Sequence, residues 1–367
     1  LTKKHLQIQI INLKIYPLHP KNTFKGIVIS FKSVRSASIL SLYFPPTSTI
    51  VNGNINTLCW KQGNEQEQAY LYNYDPFGRL TSASFKENNG LFWNNSSGKY
   101  NVSGLSYDEN GNLKSLKRFD GDGSVNHDFT YHYSNPANRN ALSQVTDKGI
   151  NSPLYHYDKL ENMLYDGRRD IYLSYNLLNL PDTISQGSDN ISYIYPTRGE
   201  KLAQRIGSSY TYYRGVIIYA GNTLSYIKQP ESLIRKDSPY YTYNYFLKAH
   251  LGSTRVLLEA AEDSLRTVQT TDCYPFSLSF ENNNLNRNKY PYIGKEFQDV
   301  SLGGRMLSMY DFRARSYDPE TGRWFNIDPA LQLATPYGFC GNNKNSGSSR
   351  CFKRIILWWW YYWENYI

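Results

Sequence analysis

Two aspartates, Asp318 and Asp328, are each followed directly by proline and lie in a stretch that also carries Arg313, Arg315 and Arg323. Two nearby carboxylates that share a proton can act as base and acid on a water or a peptide bond, and the arginines could hold them by bidentate pairing. The competing reading is that each aspartate opens a turn, the ordinary meaning of Asp-Pro, while alternating arginines on a strand face water. His250 and Ser253 suggest a second catalytic pair, but no G-x-S-x-G elbow surrounds the serine and no third member can be picked out. His250 therefore reads as a structural histidine. His5, His19, His127, His132 and His156 share no ligand spacing, and Cys59, Cys273, Cys340 and Cys351 form no C-x-x-C pair. No metal, cofactor or thiol chemistry is expected.

The elements that would position such residues are strands. Tyrosine accounts for 34 of 367 residues, an excess that suits sheets better than helices. Tyr-x-Tyr recurs at Tyr70/Tyr72, Tyr131/Tyr133, Tyr155/Tyr157, Tyr193/Tyr195, Tyr210/Tyr212, Tyr241/Tyr243 and Tyr290/Tyr292. A spacing of two puts both rings on one face of a strand, within reach of rings on the next strand. Several doublets run into a turn: Asp75-Pro76-Phe77-Gly78, Asp108-Glu109-Asn110-Gly111 and the longer Asp318-Pro319-Glu320-Thr321-Gly322. Asp first and Gly fourth is the composition of a type I turn closed by a left-handed residue. The unit is strand, Asp-led turn, Gly, strand, with uneven spacing and so no strict solenoid period. Val256 to Leu265 has some helical flavour and reads as easily as a strand ending in an acidic turn.

Net charge is +9, but it resides at the ends: residues 1–61 hold eight Lys/Arg and no acid, and 62–329 hold 28 bases against 30 acids. The bulk of the chain has no basic face for phosphates, which disfavours nucleic acid as a partner. The aromatic run Ile355 to Trp363 is nine residues, too short for a transmembrane span of ~20. No signal-type apolar run is visible near the start.

Tyr72-Asn73-Tyr74-Asp75-Pro76-Phe77-Gly78-Arg79-Leu80-Thr81 resembles the repeat unit of the Rhs/YD-repeat proteins. His250-Leu251-Gly252-Ser253-Thr254-Arg255 resembles the H-L-G-S-T-R signature of the Rhs repeat-associated core, and Tyr292-Ile293-Gly294-Lys295-Glu296 its Y-T-G-K-E. Arg313 to Trp324, with Asp328-Pro329 and Pro336 to Asn343, resembles the remainder of that core. Ala249, Ser277 and Glu161 depart from the pattern, the last two replacing turn glycines at about 1 kcal/mol each. The segments imply four regions: 1–51 unassigned and basic, 52–245 YD repeats, 246–343 the core, and 344–367 an unrelated or frame-shifted tail.

The resemblance implies an all-β fold, an antiparallel hairpin array winding into a curved shell or part of one. It implies a structural shell segment of a bacterial polymorphic toxin or secreted surface protein, found in secreted form or at the cell surface. Its partners would be an enclosed C-terminal effector polypeptide, absent here, or that effector's immunity and secretion partners. The family also implicates core aspartates in self-cleavage, which assigns Asp318 and Asp328 as the residues of a vestigial aspartyl activity in a chain otherwise not an enzyme. Two alternatives stand beside this: a module binding carbohydrate on cell-surface glycans through exposed tyrosines, and a degenerate, non-functional remnant.

Overall fold

The computed structural model describes residues 54–342, apart from 63, 91–92, 95–97, 137, 238, 250, 263, 281–286 and 331–332, together with three backbone strands at Gln9–Ile15, Ile27–Lys32 and Leu40–Tyr43. The expectations placed on His250 and on the aromatic tail lie outside the described residues, as does most of the basic segment 1–51.

The fold is all-β, and it is built by sequence neighbours pairing antiparallel. One open sheet of 12 strands runs in chain order from Gln9–Ile15 to Ile150–Asn151, with the short strand Trp93–Asn94 off its path. A second open sheet of 13 strands runs from His156–Tyr157 to Ser264–Thr270 without a single crossover. Glu296–Gln298, Met309–Asp311, Ser316–Asp318 and Arg323–Trp324 then make a four-stranded sheet. Among the described residues there is no α-helix, and the ambiguous stretch near Val256 resolves into the strands Thr254–Ala261 and Ser264–Thr270. Period-two patterning is the cause: in Ile171–Tyr175, Ile171 and Leu173 are buried while Tyr172 and Ser174 are exposed.

The Asp-led turns share one geometry. At Asp75 the side-chain Oδ1 accepts the N–H groups of Phe77 (3.0 Å) and Arg79 (2.8 Å), and the Gly78 N–H donates to the Asp75 carbonyl (2.9 Å). Gly78 sits at φ 77°, and the pairing slips by one residue so that Tyr74 faces Leu80. This is a turn closed by a bulge, which twists each hairpin in the same sense. Asp108 and Asp158 repeat it, and Asn176 does so with an amide oxygen. The two departures read as replacing turn glycines do take a left-handed backbone, Glu161 at φ 66° and Ser277 at φ 67°, and Asn179 at φ 60° closes the Asn176 turn in the same way.

Tyrosine hydroxyls stitch one unit to the next. The tyrosine entering a turn donates to the carbonyl of the apolar residue that leaves the preceding turn: Tyr107 to Leu80 (2.6 Å), Tyr133 to Leu113 (2.8 Å) and Tyr175 to Met163 (3.0 Å). Many doublet rings, including Tyr70, Tyr72, Tyr131 and Tyr193, are buried in a core cluster drawn from both long sheets. A buried ring such as Tyr70 keeps its hydroxyl satisfied by a backbone carbonyl, here that of Tyr100 at 2.8 Å. A second cluster of six aromatics (Tyr292, Tyr310, Phe312, Tyr317, Trp324 and Phe339) packs within the C-terminal segment.

Candidate functional site

Residues 313–342 run as a strap across the turn rows of both long sheets. On the first sheet, Arg118 donates to the carbonyls of Glu320 (2.5 Å) and Pro319 (3.0 Å), and Tyr131 donates to that of Thr321 (3.0 Å). Arg323 donates to Tyr133 Oη (2.9 Å) and the Asn140 carbonyl (2.7 Å). Thr335 Oγ1 donates to Asn112 (2.9 Å) and the Asn342 amide to the Gly111 carbonyl (2.6 Å), so the far end of the strap seats on the Asp108 turn. On the second sheet, the Met163 N–H donates to the Phe325 carbonyl (3.0 Å) and Tyr337 Oη to the Glu161 carbonyl (2.9 Å). Gly322, at φ 70°, lets the strap reverse against Phe276, whose ring would lie 3.3 Å from an added Cβ.

Asp318 lies at the centre of this strap and is 2% exposed. Arg169 grips it with both guanidinium arms, at 2.8 Å and 2.5 Å, and Thr321 Oγ1 donates to it at 2.6 Å. Arg169 also pairs with Asp166 (2.8 Å), while Arg168 pairs with Glu320 and stands 3.6 Å from Asp318. Burial by itself pushes a carboxyl up, but the Arg169 charge and its hydrogen bonds, with Arg168 and Thr321 behind them, hold Asp318 well below the usual carboxylate range. Glu320 is held down by the same two arginines against the pull of burial. The nearby His127 ring, packed 4.7 Å from Phe129, is pushed down to about 3 by burial and by Arg118. A carboxylate this firmly ionised, with both oxygens occupied, is suited to holding charge more than to trading protons.

Asp328 sits further along the strap. Its N–H donates to the Pro336 carbonyl (3.0 Å), its Oδ1 accepts from Ala330 N (3.3 Å), and Arg315 lies 3.9 Å away. No hydrogen bond or ion pair joins Asp318 to Asp328 among the described residues. The arginines that hold Asp318 are not those beside it in sequence: Arg323 is buried against Tyr133 and Tyr337, Arg315 stacks on Trp324 (4.1 Å), and Arg168 and Arg169 come from the second sheet. The signal that could have found them is the doublet in Asp166-Gly167-Arg168-Arg169-Asp170, two cations in a tight turn with an acid on each side.

Two further ionic clasps fasten the same assembly. Lys201 of the second sheet donates to Glu296 (2.6 Å) and Asp311 (2.7 Å) of the four-stranded sheet, with the Tyr213 ring 4.4 Å away. Arg255 of the H-L-G-S-T-R segment pairs with Asp272 (2.5 Å) and lies 4.7 Å over Trp60 of the first sheet. Ser253 lines a small cavity with Arg255 and Cys273, and its carbonyl accepts from Ala249 N at 2.7 Å as part of the turn. Cys273 is a free thiol, whereas Cys340, in the strap, is disulfide-bonded. Among the described residues no group of His, Cys, Asp and Glu could hold a metal ion.

Comparison with known proteins finds no matching family model. A stretch of 128 residues, 33% of the chain, is 30% identical to Salivary gland surface protein 1 of Aedes aegypti and covers 3% of that protein. Among solved structures, TcdB2-TccC3 aligns over 88% of this chain and 18% of its own, at 15% identity and TM-score 0.47. The Photorhabdus luminescens Tc holotoxin pore aligns over 87% of this chain and 19% of its own, at 14% identity and TM-score 0.48. The chain therefore spans less than a fifth of each of these solved chains.

Proposed function

We propose that this chain is a wall segment of a hairpin shell of the Rhs toxin type, and that 313–342 is the strap locking its two long sheets together. The observation that carries the reading is the buried Arg169–Asp318 clasp within a strap that touches the turns of both sheets. Open antiparallel sheets, bent by bulges at Asp-led turns such as Asp75 and Asp158 and tied by side chains, suit a wall. In this reading 52–245 is repeat wall and 246–343 core, and the wall encloses or presents a polypeptide outside the cell. No helix among the described residues is long and apolar enough to cross a membrane.

Containment is tested by fusing an unstructured polypeptide to the C-terminus of the full chain and exposing it to a nonspecific protease. Protection of the passenger relative to the free peptide is expected. Cleavage of both at the same rate rejects containment. Glycan binding is a second reading, favoured by Tyr210 and Tyr212, whose rings lie 5.6 Å apart and within 7° of parallel on a partly exposed strand. A glycan array reports on it directly, and a Tyr212→Ala variant that retains every positive spot removes this platform as the cause.

A further inference from the structure

The later strands of the second sheet are covered on one face and open on the other. Ile218 pairs with Tyr226 and Leu233 with Asn244 on the covered face, where the Tyr226 hydroxyl meets that of Tyr290 at 2.9 Å. Their sequence neighbours point the opposite way. Arg214, Ile217, Ile227, Ile234 and Tyr243 are successive register partners, so one side chain from each of five strands makes a row straight across the sheet, about 19 Å long at ~4.8 Å per strand. The three isoleucines are half-buried and Tyr243 is 51% exposed. The pairs Tyr212/Tyr219 and Lys236/Tyr241 flank the row on the same face. Where that face continues to Leu247 and Val256, which pair with each other, it is buried in the core.

The charge of the open face has one sign. Arg205 lies 5.7 Å from the Tyr210 ring and Arg214 5.5 Å from the Tyr219 ring, and both are exposed, as is Lys236. None of the three has an ion pair among the described residues. Asp237 is the sole acid in the strands from Ala203–Ile206 to Tyr240–Lys248, and it shares the covered face with Leu233 and Arg235, 3.9 Å from the latter.

A β-branched row in register is a surface on which another extended layer packs, and cations without an acid among them select the sign of that layer. The ends of this chain have the wrong sign, since residues 1–61 hold eight bases and no acid and residues 330–367 four bases and one acid. A second copy would set cation against cation.

We propose that the row from Arg214 to Tyr243 docks an extended acidic segment of another polypeptide, with apolar residues at every second position over Ile217, Ile227 and Ile234 and carboxylates reaching Arg205, Arg214 and Lys236. The docking goes beyond the shell reading and does not require it, because an open sheet that encloses nothing presents the same face.

The test is fluorescence anisotropy of the full chain with short labelled peptides in which Glu alternates with Val, Lys with Val, or Glu with Ser. The Glu–Val peptide is expected to bind about tenfold or more tightly than either of the others. The double variant Arg214→Glu/Lys236→Glu, at two exposed positions, should lose that preference without moving the thermal midpoint. Equal affinity for the Glu–Val and Lys–Val peptides, or a double variant that binds as wild type does, overturns the proposal. A dimer seen by light scattering that Ile227→Ser dissolves gives the face to a second copy and overturns it as well.

Discussion

Arg169 and Asp318, 149 residues apart in sequence, meet in a buried two-armed ion pair of 2.8 Å and 2.5 Å that fastens the strap to the second sheet. Removing one partner leaves the other charged and buried with only part of its counter-charge, Asp166 for Arg169 and Arg168 for Asp318, so the loss should approach the ~3–5 kcal/mol of a broken buried pair. Asp318→Asn and Arg169→Met should each lower the unfolding free energy measured in urea by that order, and the double variant should lose less than the sum of the two. Additive losses in this cycle would mean that the two side chains are not coupled.

Acid should open the clasp from the carboxylate side. Asp318 has a folded pKa held below its unfolded value of about 3.9. Its contribution is therefore complete above about pH 4 and is lost as pH falls through the lower folded value. The stability gap between wild type and Asp318→Asn should be constant from neutral pH down to about pH 4 and shrink below it. A gap that begins to close near pH 6 would point to another group.

The hydroxyl stitches should act as separate, modest locks. Tyr107→Phe, Tyr133→Phe and Tyr175→Phe each remove one bond to a preceding carbonyl and should cost about 0.5–1.5 kcal/mol, with Tyr133 at the upper end because Arg323 also donates to it. Tyr172→Phe, at an exposed ring, should be neutral. Denaturation of these four variants measures the difference.

The left-handed turn positions predict opposite signs. Glu161→Gly relieves a side chain at φ 66° and should stabilise by about 0.5–1 kcal/mol, whereas Gly78→Ala, at φ 77°, should destabilise by about 1 kcal/mol or more. Thermal midpoints of the two variants test both.

Self-cleavage by Asp318 and Asp328 is tested by incubating purified full chain and following its mass. With Asp318 held by Arg169 and Thr321, retention of the intact mass is expected. A shortened product that disappears in Asp318→Asn would restore the protease reading.

The turns were legible because their chemistry is local. An aspartate can cap the N–H groups two and four residues on, and glycine alone takes a positive φ without penalty, so Asp75 and Gly78 announce their hairpin in five residues. The strand character of doublets such as Tyr70/Tyr72, Tyr210/Tyr212 and Tyr241/Tyr243 follows in the same way from a period of two, whereas Tyr290/Tyr292 lie outside any strand. The partners of the strap were not legible, since no local rule connects Asp318 to Arg169, Arg323 to Tyr133, or Lys201 to both Glu296 and Asp311.

Sequence by itself determined that this chain would be a succession of antiparallel hairpins, because turn geometry and strand alternation are properties of a few consecutive residues. Tertiary structure alone decided which charges meet and which tyrosines are buried, because ion pairing and burial depend on distances set only when two long sheets and a strap have closed on one another. That is why the arginines next to Asp318 in sequence serve elsewhere, and two from another sheet hold it.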